Sequence, residues 1–177
     1  MSKLRRTTLA TAAATELAAG LLTAATGTAS AADRAASAAN GRQGDFNGDG
    51  YRDLAVAAPA ATVDGKKSAG AVTVLYGSAH GVDASRHTTA SQNSPGVPGA
   101  AEAGDLFGGE VFLSDLNGDK KADLTVAAVY EGGGNGALTT LPSDGTRLTI
   151  TGSRFVSPPA VGISTAGAPQ LGSIMAG

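Results

Sequence analysis

The sequence predicts an all-β protein of short strands and tight turns, on three observations. A 15-residue segment recurs 70 residues further along the chain, glycine is abundant (26 of 177) while aromatic residues make up only 4%, and the apolar residues gather in short runs bounded by Gly, Asp, Ser and Pro. Repetition at a fixed offset is the signature of stacked supersecondary units, and short runs between turn formers are the signature of strands. An alanine-rich apolar content of 42% is enough for a core, but so few aromatics favour thin sheets over a helical bundle.

The elements follow in chain order. Residues 1–31 read as a secretory signal peptide: a basic start at Lys3, Arg5 and Arg6, an Ala- and Leu-rich stretch to Leu22 interrupted by Glu16, and the small-residue cleavage site Ala29-Ser30-Ala31. Residues 32–43 read as a flexible leader. The formal charge is −2, and loss of Lys3, Arg5, Arg6 and Glu16 leaves −2 − 2 = −4. That mild acidity excludes nucleic acid as the expected partner, because phosphate contacts need clustered Lys and Arg. No stretch of about 18 consecutive apolar residues is present, so no stable membrane span is expected. With no cysteine, an exported chain has no disulfide to pin its loops.

The segment 44–58, Gly-Asp-Phe-Asn-Gly-Asp-Gly-Tyr-Arg-Asp-Leu-Ala-Val-Ala-Ala, returns at 114–128 as Ser-Asp-Leu-Asn-Gly-Asp-Lys-Lys-Ala-Asp-Leu-Thr-Val-Ala-Ala, with nine positions identical. A shorter echo joins Ala103-Gly104-Asp105-Leu106-Phe107-Gly108 to 166–172, where the chain opens a third copy that stops at Gly177. These marks divide the chain into a first repeat at 44–102, a second at 103–165 and a truncated third at 166–177. Strands are expected at Leu54 to Ala58, Ala71 to Tyr76, Glu110 to Leu113, Leu124 to Val129 and Leu148 to Thr151, with Ser91 to Gly104 as a Pro- and Gly-rich connection and no amphipathic helix.

In the first copy Asp45, Asn47, Asp49 and Asp53 occupy positions 1, 3, 5 and 9 of a loop, and the backbone carbonyl of Tyr51 falls at position 7. The second copy offers Asp115, Asn117, Asp119, the carbonyl of Lys121, and Asp123. Alternating oxygen donors on a tight loop suit a hard cation that takes six to eight oxygen ligands, and Ca²⁺ fits that demand better than Mg²⁺. An EF-hand is excluded, since its bidentate Glu at position 12 is replaced by Val56 or Val126 inside an apolar run. Position 6 changes from Gly50 to Lys120. If the backbone there is left-handed, Lys120 costs on the order of 1 kcal/mol and the second loop binds more weakly.

Together these residues resemble FG-GAP repeats, the blades of the integrin-α amino-terminal β-propeller and its bacterial secreted relatives. Phe107-Gly108 matches the Phe-Gly step, and Ala57-Ala58-Pro59 approximates the Gly-Ala-Pro step; Val129 stands where Pro59 does in the first copy, and Leu171 replaces Phe in the third. The resemblance implies a partial β-propeller of about two blades and a fragment of a third, with the ten loop residues above as Ca²⁺ ligands. It also implies a secreted adhesion or binding module whose ligand is an extracellular protein or carbohydrate. Propellers close with four to eight blades, so self-association through open sheet edges is expected.

No enzyme is expected. His80 and His87 lie in a Gly/Ser/Thr-rich connection with no Cys and no nucleophile elbow. Gly65-Lys66-Lys67-Ser68 lacks the first glycine of a phosphate loop, and Gly132-Gly133-Gly134-Asn135-Gly136 reads as a turn. The alternatives are an accessory propeller of a secreted hydrolase, as beside phospholipase D-like domains, and a remnant of a longer propeller.

Overall fold

Three strands, β1 (Leu54–Ala58), β2 (Ala71–Leu75) and β3 (His87–Ala90), form one antiparallel sheet in the order β1-β2-β3. Four more, β4 (Phe107–Ser114), β5 (Asp123–Ala128), β6 (Ala137–Leu141) and β7 (Arg154–Val156), form a second antiparallel sheet in the order β4-β5-β6-β7. The computed structural model describes residues 44–149 and 151–176; the signal peptide expected at 1–31 and the leader at 32–43 lie outside the described residues. Among the described residues the only helical pieces are single turns at Glu131–Gly134 and Pro158–Val161. The described part of the chain is nearly all-β, as the composition predicts.

Each sheet is a meander whose sidedness follows from register, because residues directly opposite one another in an antiparallel pair point to the same face. Ala55 pairs with Val74 and Ala57 with Val72, so these four share one face of the first sheet. Leu124 pairs with Leu113 and Leu141, and Val126 with Val111 and Thr139, so these share one face of the second. The two faces meet: Val72, Val74, Tyr76, Leu124, Val126, Ala128 and Leu141 belong to one buried cluster, with Ala55, Val111 and Leu113 packed against it. Apolar burial between the sheets is thus the main stabilising contact of the described chain.

The connection from the first sheet to the second is held by close backbone approach. The Phe107 amide donates to the Ala69 carbonyl at 2.9 Å, and Gly70, at φ 92°, stands where a Cβ would lie 2.1 Å from the Phe107 oxygen. The same step recurs one repeat later: the Leu171 amide donates to the Asn135 carbonyl at 2.9 Å, and a Cβ on Gly136 would lie 2.3 Å from the Leu171 nitrogen.

The expected strands at 54–58 and 71–76 are found within a residue of their bounds, and those at 110–113 and 124–129 lie inside or one residue from β4 and β5. The strand expected at Leu148 to Thr151 is corrected. Leu148 forms only an isolated bridge to Ser143, because Asp144 accepts from the amides of Thr146 and Arg147 and closes a tight tip there. Leu148 instead plugs the core, its amide donating to the Tyr76 hydroxyl at 3.1 Å. The outer strand is Arg154–Val156. β3 and β6 were not expected: His-Thr-Thr-Ala lacks an apolar alternation, and Thr139 is buried in β6 where a polar residue reads as exposed. His87 accordingly sits in a strand, exposed, with Nδ1 2.7 Å from the Ala84 carbonyl oxygen.

Candidate metal centres

Both aspartate loops run from the end of one strand position to the start of the next. Ser114 pairs with Asp123 at the end of the β4–β5 ladder, and in the first copy the Asp53 amide donates to the Gly44 carbonyl at 2.6 Å in the same place. Each loop is thereby closed at its base by a strand-like rung.

Within each loop the side chains at positions 1, 3 and 5 accept backbone amides in the same order. Asp45 Oδ1 accepts from Gly48 N at 2.7 Å and Oδ2 from Gly50 N at 2.9 Å, Asn47 Oδ1 accepts from Asp49 N at 3.0 Å, and Asp49 Oδ1 accepts from Tyr51 N at 2.9 Å. In the second loop Asp115 accepts from Gly118 N and Lys120 N at 2.7 and 2.9 Å, Asn117 Oδ1 from Asp119 N at 2.8 Å, and Asp119 Oδ1 from Lys121 N at 2.9 Å. These are successive Asx turns, in which a short polar side chain replaces a backbone acceptor and tolerates the left-handed backbone needed at positions 4 and 6. Gly48 and Gly50 have φ of 77° and 88°; Gly118 and Lys120 have 81° and 73°. The left-handed condition set for position 6 is therefore met, and Lys120 carries its strain.

Position 9 plays a different part. Asp53 is buried, and its Oδ2 accepts from the amides of Phe46 (2.8 Å) and Asn47 (3.2 Å), while Oδ1 accepts from Gly77 N at 2.7 Å. Asp123 accepts from Leu116 N at 3.2 Å, and its carboxylate is also bonded to the Ser143 backbone amide. Each of these carboxylates staples the start of its loop to the chain just beyond the second strand that follows it, β2 for Asp53 and β6 for Asp123. Burial pushes both up from the usual aspartate range, against the opposing pull of those amide bonds.

The two loops lie side by side, since the Ala122 amide donates to the Asp45 carbonyl at 2.8 Å and the Lys121 stem lies against Gly48. At position 7 Tyr51 is exposed and Lys121 half-buried. Among the described residues, no group of three or more His, Cys, Asp or Glu side chains converges as a metal-holding set. The loops gather the right oxygen donors on an ordered backbone, but the carboxylates are turned to the chain's own amides. In the first loop a basic group stands against them: Arg86 Nη2 is 3.6 Å from Asp49 Oδ2. Nothing in the sequence pairs Arg86 with Asp49; the packing of the turn before β3 against the loop does. The donor chemistry itself fits a hard divalent cation, for which Asp45, Asn47, Asp49 and Asp53, with Asp115, Asn117, Asp119 and Asp123, would supply oxygens.

A cleft of about 430 Å³ opens beside the second loop, lined by Leu116, Asn117, Asp123, Pro142 and Arg154 among others. No helix among the described residues is long and apolar enough to cross a membrane. None of the curated proteins compared matches the chain. Residues 41–75, which span the first aspartate loop, β1 and β2, match the family model of the FG-GAP repeat, and the loop before β5 copies the first loop in sequence and in hydrogen bonding.

Proposed function

We propose that this chain is a secreted, calcium-binding repeat module of the integrin-α-like kind, serving extracellular recognition or adhesion rather than catalysis. The observation that carries the reading is the duplicated Asx-turn ladder: two loops 70 residues apart hold Asp, Asn and Asp in the same bonds to the same backbone positions. A plain turn needs one such bond, whereas three successive oxygen donors on alternate residues are what a cation with many oxygen ligands requires. Ca²⁺ would supply charge neutralisation for the three carboxylates of each loop and fix its shape. In a chain without disulfides, that is a source of rigidity outside the cell. The ligand, a protein or a carbohydrate, would meet the exposed loops that the sheets hold in place, with the cleft at Leu116 and Arg154 as one concave part of that surface.

Thermal melting with Ca²⁺ or with chelator tests the reading. Ligand at about 100 times its dissociation constant stabilises by about 2.7 kcal/mol per site, so millimolar Ca²⁺ is expected to raise Tm by roughly 5 °C or more in a chain of this size. The pair Asp49→Ala and Asp119→Ala should remove the rise. Superimposable melts with and without chelator end the calcium reading.

A further inference from the structure

The outer strand of the first sheet, β3, carries backbone groups that the sheet does not use. The Tyr76 amide donates to the Arg86 carbonyl at 2.9 Å, and the register continues with Leu75 opposite His87, Val74 opposite Thr88 and Val72 opposite Ala90. Hydrogen-bonded and non-bonded pairs alternate along an antiparallel ladder, so that one bond fixes the phase. Thr88 and Ala90 turn their N–H and C=O inward to β2, whereas His87 and Thr89 turn theirs outward. Among the described residues no strand pairs with that edge, and His87 and Thr89 are both exposed. The edge is therefore a row of alternating donors and acceptors that repeats about every 6.8 Å.

This row is held firmly from behind. The Tyr76 hydroxyl donates to Thr88 Oγ1 at 2.8 Å, the hydroxyls of Thr73 and Thr89 lie 2.9 Å apart, and Arg86 Nη1 donates to the Gly77 carbonyl at 3.1 Å. On β7 the same alternation turns only Phe155 outward, since the Thr149 amide donates to the Pro142 carbonyl and sets the phase of that ladder. Beside β3 there is also a cleft of about 680 Å³, lined by Thr88, Asp144, Arg147, Leu148 and Thr149 among others. Thr88 points to the same face as Val74, which is buried between the sheets, so the cleft opens on the inner side of the edge. Its two charged groups, Arg147 and Asp144, already face each other at 4.0 Å.

We infer that β3 takes up an extended segment of another protein as a fourth strand of the first sheet, with one side chain of that segment entering the cleft beside Thr88. A row of alternating N–H and C=O groups is complementary to another extended backbone, and a neighbouring pocket for a side chain adds selectivity. The hydroxyls of a sugar do not repeat at that spacing. Because Arg147 and Asp144 balance each other, a neutral side chain suits the cleft. The pairing lies beyond the exposed loops assigned to the ligand above, and it needs no cation, so it holds or fails independently of the calcium reading.

Panning a random dodecapeptide phage library on the immobilised full chain, with and without Ca²⁺, tests this, followed by fluorescence anisotropy of the selected peptides made synthetically. Binders are expected under both conditions. N-methylation along a binder should weaken it by roughly tenfold or more at every second residue and little in between, because only alternate amides face β3. Thr89→Pro removes an outward N–H while the β2 ladder keeps its bonds through Thr88 and Ala90, a placement an edge strand tolerates. It should weaken binding by a similar factor with an unchanged far-UV circular dichroism spectrum, and Thr89→Val, which keeps the N–H, should bind as the parent does. A library that yields no binder, an N-methyl series without alternation, or a Thr89→Pro chain that binds like the parent each overturn the inference. Should Thr89→Pro lose its spectrum, the N-methyl series on the unaltered chain decides alone. A parent chain that sediments as a dimer, with the dimer lost in Thr89→Pro, also overturns it by giving the edge to a second copy.

Discussion

At position 6 of the two loops, Gly50 and Lys120 share a left-handed backbone, yet only one of them adopts it without steric cost. Lys120→Gly removes a Cβ crowded against the backbone but adds chain entropy to the unfolded state, and the two effects leave a net stabilisation of roughly 0.5 kcal/mol. Urea denaturation of the variant against the parent checks it, and a lower midpoint contradicts it. If the calcium reading holds, the same substitution also tightens the second loop. The Asp and Asn residues at positions 1, 3, 5 and 9 were legible in the sequence as a repeated spacing, and the matching Asx turns of the two loops follow from it. Two facts of the site were not. Asp53 and Asp123 act as staples, reaching the amides of Gly77 and Ser143, and Arg86 leans on Asp49. Both depend on which distant residues the strands bring alongside, and no spacing rule encodes that.

Among elements, the glycines at the passage between repeats decide more than the strands themselves. Gly70 holds φ 92° with the Phe107 backbone where its Cβ would be, so Gly70→Ala must both strain its own backbone and displace the start of β4. A loss of about 3 kcal/mol or more is expected, read as a fall in the denaturation midpoint. Gly65→Ala, also at positive φ but with open space around it, should cost only about 1 kcal/mol. Similar losses for both would refute the close-approach argument. Strands β1, β2, β4 and β5 announce themselves by apolar residues at period two or in a short continuous run. β3 and β6 escape because their pairing partners, and not their own composition, hold them: Thr73 and Thr89 exchange a hydroxyl bond at 2.9 Å, and Thr139 is sealed by the neighbouring sheet. Leu148 misleads in the opposite direction, an apolar residue in a turn that the Tyr76 hydroxyl draws into the core.

For the whole molecule, burial of carboxylates sets the response to pH. Away from the loops, Glu131 accepts from Gln92 Nε2 at 2.5 Å and is pushed up from the usual range, chiefly by burial and further by the charges of Asp105 and Glu102. Asp105 is pushed up for the same first reason, opposed by the bond it accepts from the Glu102 amide and by Lys66, with the Glu102 charge adding to the rise. A carboxyl raised in the folded state takes its proton sooner there than in the unfolded chain. Its contribution to stability is therefore full below the unfolded pKa and is lost as pH rises through the folded one. In chelator, stability is expected to increase as pH falls from neutral into the mildly acidic range, and Glu131→Gln should flatten that slope; melts across this range that show no slope, or an unchanged slope in the variant, refute it. Asp83 and Asp144, held low by bonds from Ser85 and Thr146, pull the other way but are fully exposed.

By itself the sequence determined the fold class, the two loops and the period between them, because strand alternation, turn chemistry and alternate oxygen donors are local and survive in one dimension. Only the tertiary structure decided which copy of an identical apolar face is buried. Leu54-Ala-Val56 and Leu124-Thr-Val126 read alike, but the second is sealed by Val72 and Val74 while the first faces outward. Burial belongs to whatever lies opposite a side chain, and that is a property of packing in space.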